Sequence, residues 1–160
     1  MRTTNQATVC FMCSRGKVLL QRRALGRLWA GRLNGPGGKI ALGETATTAI
    51  VREVQEETGV RLDAVRPAGV LDLRFGAPAS QTLLVHVFTS DRFRGRPRGG
   101  REGGLRWYAV RRLPFDGLWP DMRYWLPLVL AGGDVNGTCE YDRPGRHLRA
   151  CRLTLEWPKG

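Results

Sequence analysis

Residues Gly38–Val60, GKIALGETATTAIVREVQEETGV, carry the pattern that decides the fold. No glycine or proline interrupts Thr45–Thr58, and Gly59 follows as a stop, so the spacing predicts a helix over Thr45–Thr58. At 100° per residue, Glu53, Glu56 and Glu57 fall within an arc of about 100°, with Ile50, Val51 and Val54 on the neighbouring arc. One side of the helix can therefore bury while an acidic side faces a cleft. Three carboxylates so close repel one another, and a helix gains nothing from that. A divalent cation such as Mg²⁺ would offset the repulsion, because it takes oxygen ligands and keeps waters and substrate phosphates in its shell. Taken alone, the three glutamates fit a solvated acidic face as well.

Outward from the helix, short apolar runs alternate with turns. Ala7–Met12 and Lys17–Arg22 read as two strands joined through Ser14–Gly16. Arg27–Lys39 is rich in glycine and proline and reads as loop. Val70–Phe75 and Thr82–Thr89 read as strands paired through a turn over Gly76–Ser80. Asp91–Gly104 reads as an Arg/Gly-rich loop, and Leu105–Val110 as another strand. Asp121–Leu130 predicts a helix broken near Pro127. Gly137–Tyr141 and Leu148–Trp157 read as a closing hairpin. Several strands and two helices imply an α/β sandwich around a mixed sheet.

Length and composition narrow the function classes. The chain has 160 residues, the size of a single domain spanning 1–160. Apolar residues make up 42% and charged residues 25%, which is globular rather than disordered. Lys and Arg exceed Asp and Glu by 26 to 14, a net charge of +12 that favours anionic partners. The arginines are scattered, and no block forms a nucleic-acid arm, so no obligatory nucleic acid is expected. Met1–Gln6 is polar, and no stretch approaches the roughly 20 apolar residues of a membrane helix. A cytoplasmic monomer is the expectation. Cys10, Cys13, Cys139 and Cys151 then read as reduced thiols. Cys10-x-x-Cys13 has no second knuckle to complete a zinc site, and its apolar strand suits buried structural thiols.

The full spacing goes further than the helix. Gly38, five residues, Glu44, seven residues and then Arg52-Glu53-Val54-Gln55-Glu56-Glu57-Thr58-Gly59-Val60 resembles the Nudix box at every defining position. The resemblance implies a Nudix-type α/β/α sandwich with a loop–helix–loop that binds Mg²⁺ (or Mn²⁺) and hydrolyses a nucleoside diphosphate linked to another moiety. It implies Glu53, Glu56 and Glu57 as metal ligands, with one of the three as a candidate activator of water, and the Gly38 carbonyl as a further ligand. Arg52 and Glu44 would hold the loop and orient the glutamates. Glu102 stands where many such enzymes supply a further acid, and equally fits an ordinary loop glutamate. Independently of the resemblance, a bound metal can lower the pKa of water and offset phosphate charge.

Asn34-Gly35-Pro36-Gly37-Gly38-Lys39, Leu118-Trp119-Pro120-Asp121 and Tyr124-Trp125-Leu126-Pro127 resemble the MutT-type branch of the family, which hydrolyses oxidised purine nucleoside triphosphates such as 8-oxo-dGTP. That likeness implies that Asn34 hydrogen-bonds the base, Trp119 stacks on it and Asp121 reads its edge. Leu28, Leu73 and Phe75 would line the pocket, and Lys39 would face substrate. An indole offers a stacking platform, while an amide and a carboxylate offer directional recognition. The chain departs from the branch at Met122, where a second acid is usual, at Leu33 in place of tryptophan and at Ala7 in place of tyrosine. Broader cleavage of nucleoside triphosphates or nucleotide sugars therefore stays open. So does RNA binding or RNA 5′-end processing through Arg92–Arg101, although that loop holds a single aromatic.

Overall fold

The computed structural model describes residues 3–23, 31–76, 78–98, 104–143 and 145–158. The decisive helix forms as Ala46–Thr58 (α1). Thr45 caps its start, its hydroxyl accepting the Thr48 N–H at 3.1 Å. Gly59 ends it in the left-handed conformation, at φ 77°, and donates its N–H to the Gln55 carbonyl.

Around it lie strands β1 (Thr3–Ser14), β2 (Lys17–Arg22), β3 (Leu33–Asn34), β4 (Gly37–Lys39), β5 (Arg61–Phe75), β6 (Gln81–Arg94), β7 (Leu105–Ala109), β8 (Asp134–Tyr141) and β9 (Leu148–Glu156). They form one sheet in the order β3-β2-β1-β6-β5-β8-β9, with β4 paired to β1 and β7 to β2. The β1–β6 and β5–β8 pairs are parallel and the others antiparallel, which is the mixed sheet expected.

Period-two alternation gives this sheet two covered faces. Val9 and Phe11 of β1 join Val18 and Leu20 of β2 in a cluster with Trp125, Leu126 and Val129. Cys10, Met12 and Leu19 point the other way, against Ile50 and Val54 of α1. The sandwich thus has α1 on one side and a short helix, α2 (Leu126–Leu130), on the other. Cys10 and Cys13, an odd number of residues apart on a strand, pack into different clusters. Burial pushes the Cys10 thiol up and the Cys13 thiol to about 11, which opposes the thiolate form that zinc requires.

The structure departs from the sequence expectations at several places: the described part of Arg27–Lys39, expected as loop, carries β3 and β4, and β1 and β8 start earlier, at Thr3 and Asp134. β5 begins at Arg61 rather than Val70, because register shifts between Leu62 and Gly69 break the alternation that marks a strand. β6 continues to Arg94, which pairs with Arg61, so Asp91–Arg94 is strand rather than loop. Phe93 stacks on Trp107 at 6.3 Å and gives this extension an apolar anchor. The expected Asp121–Leu130 helix is a 3₁₀ turn over Pro120–Tyr124 followed by α2, and the break falls at Trp125. Pro127 lies in the first turn of α2, where no intrahelical N–H bond is lost.

Candidate active site

A cleft of about 430 Å³ gathers residues from seven separate segments of the chain. Glu53 and Glu57 of α1 line it with Gly37, Gly38 and Lys39 of β4, and so do Asn34, Phe75 and Trp119. The acidic group and the aromatic and amide groups singled out in the sequence therefore share one cavity.

The β4 strand brings the acids in. It pairs with β1 so that Gly38 lies opposite Thr8, whose hydroxyl donates to the Gly38 carbonyl at 3.2 Å. The Gly37 N–H donates to Glu57 Oε2 at 3.2 Å. A side chain on Gly37 would strike the Thr8 backbone, and a Cβ on Gly38 would stand 2.5 Å from the Glu53 carboxylate. Glycine is required at 37, where backbone is in the way, whereas at 38 anything larger has to displace the Glu53 side chain.

Arg52 organises the entry to this region. Its Nε and Nη2 each donate to a Glu44 oxygen at 2.7 Å, a bidentate pair. Nη1 reaches Glu53 Oε1 at 3.0 Å and Glu56 Oε2 at 3.2 Å, and Nη2 also donates to the Lys39 carbonyl at 3.3 Å. One guanidinium thus ties the loop before α1 to two acids of the helix. The hydrogen bonds from Arg52 and from the Ala41 N–H hold the Glu44 carboxyl down at about 2. Arg52 is driven upward by the same contacts and stays charged. Glu56 does not line the cleft. It borders a more open depression on the outer face of α1, with Val51 and Gln55. No three acids converge into a preformed metal cage among the described residues. The donors present are hard oxygens, from Glu53, Glu57 and the Gly38 carbonyl. They fit Mg²⁺, which needs few protein ligands and completes its shell with water and phosphate.

The other end is set by long-range backbone contacts. The Leu33 N–H donates to the Gly117 carbonyl at 2.7 Å, and Arg32 Nη1 to the Leu118 carbonyl at 2.7 Å. These fasten the turn before Trp119 beside β3, and so bring Trp119 to the cavity that Asn34 lines. Asn34 Oδ1 accepts the Gly35 N–H at 2.7 Å, which leaves its –NH₂ as the donor for other partners.

Some expected residues lie elsewhere. Asp121 is 1% exposed and is not part of the cleft wall. The Tyr141 hydroxyl donates to Asp121 Oδ1, and the Trp125 indole N–H to Oδ2 at 2.8 Å. Burial raises the Asp121 carboxyl above its ordinary value, and those two hydrogen bonds pull it partly back. Leu73 is buried in the main core cluster instead of lining the cleft, and Met122, 2% exposed, packs in the same cluster. Leu28 and Glu102 lie outside the described residues. Thr8, Gln21, Leu83 and Val85 line the cleft without having been singled out. For Gln21 a signal existed: a neutral amide stands inside the apolar run of β2.

The chain matches the NUDIX domain model over residues 3–129. It is 36% identical over 131 residues to the Mus musculus protein named oxidized purine nucleoside triphosphate hydrolase, covering 81% of this chain and 82% of that one. The Danio rerio protein of the same name is 33% identical over 130 residues, with 81% and 82% covered. Among solved structures, a MutT protein from Bacillus halodurans superposes with a TM-score of 0.85 at 22% identity, covering 93% of this chain and 97% of that chain, and shows the likeness of fold.

Proposed function

The chain belongs to the NUDIX family of hydrolases, and from that premise we propose that it is a Mg²⁺-dependent nucleoside triphosphate diphosphatase. Its substrates in this reading are oxidised purine nucleotides such as 8-oxo-dGTP, released as monophosphate and diphosphate. The observation that carries the proposal is the single cleft lined by Glu53 and Glu57 as well as by Asn34, Phe75 and Trp119. The two vertebrate relatives named for oxidised purine triphosphates support the same substrate class.

Each residue then has a task. Glu53, Glu57 and the Gly38 carbonyl hold the cation, and Glu56 supplies a third carboxylate. Bound there, a divalent ion neutralises phosphate charge and lowers the pKa of a water. Arg52, fixed by Glu44, sets the directions of Glu53 and Glu56. Lys39 offers its ammonium to the phosphates. Trp119 and Phe75 sandwich or flank the base, and Asn34 donates to its edge. Asp121 acts at one remove: by accepting from Tyr141 and Trp125 it anchors the turn that carries Trp119. In this reading the protein works as a cytoplasmic monomer on free nucleotides.

The test is a panel of nucleoside triphosphates, including 8-oxo-dGTP and dGTP, incubated with Mg²⁺ and resolved by chromatography. Monophosphate plus diphosphate from the oxidised substrate, at a higher kcat/KM than from dGTP, is the expected outcome. Release of single phosphate as the first product, or no turnover of any member, overturns the proposal.

A further inference from the structure

Gln21 sits on β2 with Asn34 of β3 as its direct antiparallel partner. Side chains of such a pair project from the same face of the sheet, with Cβ atoms roughly 5 Å apart. Both line the cleft, with Trp119 at the same cavity. Gln21 is 6% exposed, and its Nε2 has no hydrogen-bond partner among the described residues. Gln21 Nε2 is thus a buried donor left unsatisfied at the wall of a cavity. Such a group is costly unless something accepts from it, and native structures rarely leave one without a reason. The last torsion of a carboxamide is broad and roughly two-fold, so a turn there redirects the –NH₂ without moving the rest of the side chain.

We propose that Gln21 is a specificity-determining residue: its carboxamide, beside that of Asn34, donates a hydrogen bond to an oxo group on the edge of the bound purine. This rests on the nucleotide reading of the cleft and adds a preference within it. Two neighbouring amides present donors along one edge. A ring carrying a carbonyl oxygen there satisfies the buried donor, and a ring carrying an amino group or a C–H leaves it unpaired. Sites built around such a donor discriminate strongly against the ligand that fails to accept.

Two ratios of kcat/KM test this, dITP to dATP for the 6-position and 8-oxo-dGTP to dGTP for the 8-position. They are measured in the wild-type protein, in Gln21→Met, which keeps the volume without donors, and in Gln21→Glu, which keeps the shape but offers acceptors. Loss of the donor should lower one of the two ratios by roughly tenfold in Gln21→Met, and at least as much in Gln21→Glu. The ratio that falls identifies the edge that Gln21 meets. A structural role for Gln21 would lower thermal stability or all rates together and leave both ratios within twofold of wild type, and that result overturns the proposal. Should Gln21→Met fail to fold, the ratios in Gln21→Glu decide in the same way. If the wild-type protein hydrolyses none of the four nucleotides, the reading of the cleft itself fails, and the proposal for Gln21 falls with it.

Discussion

A Cβ placed on Gly38 would stand 2.5 Å from the carboxylate of Glu53. The strand and the helix acid are thus packed to the limit that glycine allows. The obstructing atoms are the end of a flexible side chain, so Gly38→Ala can be accommodated by moving Glu53. The fold should survive with a modest change in thermal midpoint. Turnover should drop by roughly 100-fold, since displacement of a reacting or metal-holding group by about 1 Å costs that much. Near-normal turnover in a folded Gly38→Ala variant would show that the position of Glu53 is unimportant to the chemistry.

Glu56 provides a sharper test of the acid cluster, because the structure shows it bound to Arg52 and bordering the depression on the outer face of α1 rather than lining the cleft. Glu56→Gln keeps size and helix propensity while removing the charge. Its side chain is 59% exposed, so stability should change little. If Glu56 joins Glu53 and Glu57 around a cation, turnover falls by orders of magnitude and the Mg²⁺ concentration for half-maximal rate rises. A variant with unaltered Mg²⁺ dependence and rate would confine the ligand set to the two acids that line the cleft.

The acid cluster was legible in the sequence because a helix converts spacing directly into a shared face. Glu44 and Arg52 were placed as partners through the resemblance to the family's motif alone, since Glu44 lies ahead of α1 and helix periodicity does not reach it. The base end was harder to read. Trp119 and Asn34 meet through the Leu33–Gly117 and Arg32–Leu118 contacts, between segments 84 to 86 residues apart, and no local periodicity encodes such a meeting. Asp121 and Met122 show the limit most plainly. The family resemblance implied an edge reader and its missing partner, but the 3₁₀ turn over Pro120–Tyr124 directs both side chains into the core. The bulged half of β5 was hidden likewise, because its register shifts erase the alternation by which strands are recognised.

The buried Asp121 carboxyl should leave a mark on the pH dependence of stability. Burial raises it above its ordinary value of 3.8, so the folded chain holds this proton to higher pH than the unfolded chain does. The contribution is fully present below 3.8 and is lost as pH rises through the folded value. Asp121→Asn has no such titration and shares every other group. The difference in thermal midpoint, wild type minus Asp121→Asn, should therefore shrink as pH increases from about 3.5 towards 7. A difference that instead widens with pH would mean that the Tyr141 and Trp125 hydrogen bonds favour the carboxylate more than burial disfavours it.

Position 122 decides how the chain's departure from its relatives is to be understood. If Met122 met the base, replacing it with Asp would restore a second edge-reading acid and widen the preference for 8-oxo-dGTP over dGTP. The structure puts Met122 at 2% exposure within the core cluster that includes Trp125, and its backbone joins the turn through Met122 N–H to the Trp119 carbonyl at 3.0 Å. A carboxylate in that place would sit in an apolar cluster next to the buried Asp121. Burying such a charge costs several kcal/mol, enough to consume much of a domain's stability of about 5–15 kcal/mol. Met122→Asp should therefore lower the denaturant midpoint strongly, or yield protein that does not fold at 37 °C. Met122→Leu, close in volume, should cost less than about 1.5 kcal/mol. It should also leave the 8-oxo-dGTP to dGTP ratio within about twofold of wild type, since a buried methionine contributes packing and no base contact. Denaturation curves and the two rates for both variants settle the matter: a Met122→Asp protein as stable as wild type, with a wider ratio, would place residue 122 at the base after all.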